Sequence, residues 1–181
     1  MTDRIAKLLV LVEDANLRDV VTSYLKQLGH DTRNIRVEPL ASGRGSGAQR
    51  VLENFARLVR QCRRATTRSA LVVGTDADQL SVEKRRDRLE TALRSAGEDA
   101  RSPSDPIALV IPKRNVETWI FHFDGQPVDE QTDYSDKAMP ARGARRAAEG
   151  LIELTHSSSL PKDCLDSVRQ AIPELRRIRR G

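Results

Sequence analysis

Aromatic residues are scarce in this chain. Three Phe, two Tyr and one Trp among 181 residues leave Leu, Val, Ile and Ala to build the core. Cysteine is scarcer still: Cys62 and Cys164 stand far apart, without metal-type spacing. That excludes a disulfide scaffold and a zinc ribbon, and a reducing, cytoplasmic compartment is the expectation. His30, His122 and His156 share no ligand spacing and are expected to be structural. No apolar run approaches the roughly 20 residues that a membrane helix needs, so no membrane association is expected. The short run Leu8–Val12 follows Asp3 and Arg4, which is not the pattern of a secretory leader. No internal repeat or low-complexity segment is present.

Charge, by contrast, is plentiful. Charged residues make up 31% of the chain and the formal net charge is +5, which suits a soluble domain with a polyanionic partner. The basic residues cluster at Arg142, Arg145 and Arg146, and again at Arg176, Arg177, Arg179 and Arg180. A solvated helix face and tail account for these clusters as well as a ligand does.

Lys7–Val12 is a short apolar run of the kind that forms a buried parallel strand. Asp14 or Asn16 can cap the helix that follows, in which Leu17, Val20, Val21, Tyr24, Leu25 and Leu28 recur at helical spacing up to Gly29. Further strands are expected at Asn34–Leu40, Ser69–Thr75 and Ile107–Ile111. Helices are expected near Gln49–Arg64, from Ser81 or Thr75 to about Ser95, and after Asn115. Strands alternating with helices predict a mostly parallel sheet covered on both faces. After Gly125 the pattern turns polar and irregular, and then two helices follow at Ala141–Leu154 and Lys162–Ile178. The expected organisation is therefore an α/β domain over residues 1–125 and a helical extension over 126–181 packed on it.

Ligands of open α/β sheets bind beyond the C-terminal strand ends. Acids stand at three such ends: Glu13 and Asp14 after the first strand, Asp76 and Asp78 after the third, and Glu117 after the fourth. Residues i and i+2 leaving a strand face one way, so Asp76 and Asp78 can share one hard divalent cation. Each acid also has a plainer role. Asp14 and Asp78 fit helix caps, and Glu117 fits the positive end of a helix. Glu13 directly follows a strand that gains nothing structurally from an acid. The loop Gly43–Gly47 lacks the Lys-Ser/Thr of a nucleotide P-loop. Its Arg44, with Arg50 and with Arg57, Arg60, Arg63 and Arg64 on the next helix, can track a nucleic-acid backbone, and a solvated face explains the same residues equally well. Trp119, among apolar neighbours, is expected in the core.

Two resemblances compete. A receiver domain also opens with a strand, an acidic pair and a helix, and would make Asp76 a phospho-acceptor. But the interval from Glu13 to Asp76 is long for a receiver, and Pro112-Lys113 reverses the expected Lys-Pro order. A Glu after the first strand and Asp76-Ala-Asp78 after the third resemble the TOPRIM domain of topoisomerases, primases and OLD-type nucleases. With Ile111-Pro-Lys-Arg-Asn-Val-Glu-Thr-Trp-Ile120, the chain from Lys7 to Phe123 resembles small stand-alone TOPRIM proteins related to the OLD nucleases. Asp14 stands where that family commonly has Gly.

The TOPRIM resemblance implies a Rossmannoid parallel sheet of about four strands. It implies cleavage of nucleic-acid phosphodiester bonds with Mg²⁺ or Mn²⁺, DNA ahead of RNA, in a phage-defence or DNA-processing role beside a separate ATPase. Glu13, Asp76, Asp78 and Glu117 would hold metal, with Glu13 and Glu117 also catalytic. Lys113, counted with them as catalytic, and Arg114 would hold the scissile phosphate or neutralise transition-state charge. The alternative is a non-catalytic signalling or binding module. Oligomeric state is left open.

Overall fold

The computed structural model describes residues 5–40, 42 and 46–179. Four strands, β1 (Lys7–Val12), β2 (Ile35–Val37), β3 (Ser69–Gly74) and β4 (Ile107–Val110), form one all-parallel sheet in the order β2-β1-β3-β4. Helices α1 (Ala15–Gln27), α2 (Gly47–Arg63), α3 (Val82–Ser95), α4 (Val116–Phe123), α5 (Gly143–His156) and α6 (Asp166–Arg176) flank it. The second strand is shorter than expected: a 3₁₀ turn at Thr32–Asn34, capped by Asp31, takes up its first residue, and the strand ends at Val37, short of Pro39, which has no N–H to donate to a ladder.

Side-chain alternation divides the core into two layers. Leu8, Val10, Val12, Ala70, Val72, Ala108 and Val110 face α1, α4, α5 and α6, with Trp119 buried among them. Leu9, Leu11, Leu71, Val73, Ile107 and Leu109 face α2 and α3. Strands this apolar on both faces must be covered on both, and the helices on either side of the parallel sheet cover them. The C-terminal helices complete the first layer: Ala147, Leu151, Val168, Ala171, Ile172 and Leu175 belong to the same core as β1 and α1.

The outer edge of β4 is closed by side chains. Glu174 of α6 accepts the Leu109 N–H at 2.9 Å, and Arg101 donates to the Ile107 carbonyl at 3.0 Å. Those two backbone groups face outward from one side of the strand, where a further strand would pair. Arg101 and Glu174 are bonded to each other at 2.6 Å, so the ion pair occupies the place of a neighbouring strand and blunts an edge that would otherwise invite pairing.

Of the C-terminal arginines, Arg176 and Arg179 are structural, and Arg180 lies outside the described residues. Arg176 donates to the carbonyls of Leu154, Thr155 and Ser157, and Arg179 donates to that of Thr155, satisfying the free acceptors at the end of α5.

Candidate metal centre

Glu13 is the first residue past β1. Its N–H still bonds the Gly74 carbonyl at 3.2 Å, so β1–β3 pairing runs one residue beyond the strand and holds Glu13 against β3. Its carboxylate accepts the Thr75 hydroxyl at 2.5 Å and the Asp76 N–H at 3.1 Å. The start of α2 closes in from the other side. A Cβ at Gly47 would lie 2.3 Å from the Glu13 carbonyl oxygen, so only glycine permits this approach. Ser46 caps that helix by accepting the Gln49 N–H.

Asp76 is placed in the same way. Thr75 donates to the Val110 carbonyl and Ala77 to the Pro112 carbonyl, so the backbone is clamped to the β4 side at both neighbours. The Asp76 side chain is buried, at 4% exposure, and its Oδ1 has no hydrogen-bond partner among the described residues. Asp14 caps α1 by accepting the Leu17 N–H at 2.8 Å, as expected of it. It also belongs to the centre: Glu13, Asp14 and Asp76 each offer an oxygen within 4.8 Å of the others.

The electrostatics follow from that crowding. Burial, then the charges of Glu13, Asp14, Glu117 and Asp78, push the Asp76 carboxyl well above the usual carboxylate range. Burial also raises Glu13. The bonds from Thr75 and Asp76 pull it back, and Asp14 and Asp78 push it further up. Acids packed this closely repel one another when ionised, and a divalent cation relieves the conflict. The donor set is all carboxylate oxygen, which suits Mg²⁺ or Mn²⁺.

Asp78 and Glu117 lie at the rim of this trio. Asp78 takes a left-handed backbone, φ 55°, which ends the extended run, so the i and i+2 carboxylates do not turn to one point. Its carboxylate is half-exposed and contacts Arg85 at 3.5 Å. The cap of α3 is Ser81, not Asp78 or Thr75. Glu117 is buried in the first turn of α4, where the Asn16 amide donates to its Oε1 at 2.6 Å. Asn16 therefore orients Glu117, a role that a cap-type residue in the first turn of a helix did not announce.

The basic candidates are distributed differently from expectation. Lys113 donates to the backbone carbonyls of Leu80 at 2.7 Å and Asp78 at 3.4 Å, tying down the β3–α3 loop. Arg114 bonds Asp133 at 3.0 Å, and Asp133 also accepts from the Asn115 side chain. Arg50 sits in the first turn of α2, close in sequence to the Gly47 contact with Glu13, and Arg44 lies outside the described residues. Arg57, Arg60 and Arg63 are engaged by Glu38, Glu98 and Asp105 at 2.9, 2.6 and 2.7 Å. Their helical periodicity is real, but the acids that occupy them come from distant parts of the chain.

No protein-family model, characterised protein or solved structure matches this chain. Among the described residues, no helix is long and apolar enough to cross a membrane.

Proposed function

We propose that the protein is a divalent-metal-dependent phosphodiesterase acting on nucleic acid, with its metal held by Glu13, Asp76 and Asp14. The observation that carries this reading is the buried, unpartnered Asp76 Oδ1 within an all-carboxylate trio at the C-terminal edge of a parallel sheet. The order of Glu13, Asp76-Ala-Asp78 and Glu117-Thr-Trp119 along the chain, with its TOPRIM resemblance, supports the reaction class.

A bound Mg²⁺ or Mn²⁺ would supply charge stabilisation to a phosphodiester undergoing in-line displacement. The chain's own contributions are these. Thr75 and the Asp76 N–H fix the Glu13 carboxylate, and burial keeps it a better proton acceptor than an exposed acid. Asn16 holds Glu117 beside the trio as an acid that can serve a further cation or a proton transfer. A partner ATPase stays a matter of family resemblance. The receiver reading is disfavoured by the 4% exposure of Asp76 and by a Lys113 committed to backbone carbonyls.

Purified protein is expected to nick plasmid DNA with Mg²⁺ or Mn²⁺, and Glu13→Ala and Asp76→Ala are expected to abolish both nicking and calorimetric Mn²⁺ binding. Failure to cleave DNA or RNA with either metal, together with no metal binding, would sink the proposal.

A further inference from the structure

Helix α3 buries one stripe toward the sheet, made of Val82, Arg85, Leu89 and Leu93. Arginine thus holds a position where the helical period calls for an apolar residue. Arg85 is 6% exposed. Its Nε has no hydrogen-bond partner among the described residues, and its Nη2 reaches only the half-exposed Asp78 carboxylate, at 3.5 Å. That distance is the outer limit of a hydrogen bond.

A guanidinium cannot discharge by losing its proton, so a buried one needs full pairing. The contrast with Arg101 is direct. That arginine is equally buried but bonds two carboxylates and a carbonyl, all within 3.0 Å. Arg85 is left with donor capacity to spare.

Its place makes the spare capacity meaningful. α3 begins just past the loop that carries Asp76 and Asp78, and the Arg85 Nη2 reaches the Asp78 carboxylate, two residues along the chain from Asp76. Two further cations of this edge, Lys113 and Arg114, are committed to loop carbonyls and to Asp133, and Arg50 in the first turn of α2 is not a buried residue as Arg85 is. We infer that Arg85 is the phosphate-binding side chain of this site: its Nε–H and Nη2–H groups take the non-bridging oxygens of the phosphoryl group lying against Glu13 and Asp76, and Asp78 is the resting partner that the phosphate displaces. The inference rests on the phosphodiesterase reading above and names the residue that would bind the diester. Guanidinium forks match phosphate oxygens in this two-point manner.

The test is nuclear magnetic resonance of the arginine Nε–Hε groups in the full chain. The Arg85 signal is assigned by its loss in Arg85→Lys, which keeps the charge and the fold. Inorganic phosphate is titrated in Mg²⁺ and, separately, in chelator. A saturable downfield shift of the Arg85 Hε in either titration supports the assignment. An unmoved Arg85 signal in both overturns it. Mg²⁺ alone, read at the backbone amide of Asp76, reports on the metal reading independently, so the two ideas fail separately. Arg85→Met is further expected to weaken phosphate binding about tenfold or more, the scale of one charge-assisted hydrogen bond, while the Mg²⁺ response of Asp76 persists. Undiminished phosphate affinity in that variant also overturns the assignment.

Discussion

Two buried charge clusters lie on this sheet, and they are built in opposite ways. At the outer edge of β4, Arg101 stands between Glu90 and Glu174, and each acid receives a guanidinium hydrogen bond. At the C-terminal ends of β1 and β3, Glu13, Asp14 and Asp76 converge with Glu117 and Asp78 nearby, and the neighbouring buried cation is half-engaged. The first cluster pairs its arginine fully within the chain and closes the edge of β4, although Glu90 Oε2 is buried without a hydrogen-bond partner among the described residues. The second gathers acids without matching cations, and on the proposed function a divalent cation would be their complement. Buried charges are costly unless paired, so the same residue types are stabilised at one site and left in mutual repulsion at the other.

The comparison is broken most strongly at the site where the arginine is paired. Glu174→Ala leaves Arg101 without its main partner and the Leu109 N–H of β4 unsatisfied. Removing one partner of a buried pair costs about 3–5 kcal/mol, and urea unfolding is expected to show a loss of that order. A loss below about 1 kcal/mol, the level of an exposed pair, would mean that the edge closure carries no structural weight.

At the acidic site the sign is expected to reverse. Asp76 and Glu13 have raised carboxyl pKa values in the folded state, so folding favours their protonated forms. Stability tied to them is present at low pH and is lost as pH rises above the ordinary carboxylate range. Asp76→Asn keeps the shape without the charge. In chelator its thermal midpoint is expected to exceed that of wild type, with a gap that widens as pH rises from about 4 toward neutrality. Saturating Mg²⁺ is expected to narrow the gap by stabilising wild type alone. A variant less stable than wild type in chelator at neutral pH would show that repulsion does not govern this cluster.

The smallest effect calibrates the others. Arg145 and Glu149 form an exposed i,i+4 pair on α5. Glu149→Ala is expected to change stability by no more than about 0.5 kcal/mol, measured in the same urea series.

The periodic elements were legible before any coordinates. Lys7–Val12 is a strand with the expected bounds, Asp14, Ser81 and Asn115 cap the helices they precede, and Trp119 is core. These features depend on local spacing and on backbone groups a few residues away. The acids at the strand ends were legible too, because a charge directly after an apolar strand is locally anomalous. Arg85 carried a comparable signal, a charge in an apolar stripe, but a helix so rich in charged residues masks it. The pairing of Arg57, Arg60 and Arg63 carried none, since Glu38, Glu98 and Asp105 lie between 19 and 42 residues away.

The sequence by itself determined an α/β chain with a parallel sheet and acids at one edge, because side-chain period and capping chemistry are short-range properties. Only the tertiary structure decided which acids meet. Gly47 admits α2 against Glu13, β-ladder bonds carry Glu13 and Asp76 past their strands, and the left-handed turn at Asp78 sends that carboxylate toward Arg85. Carboxylates interact through space over a few ångströms, and those separations depend on how distant segments pack.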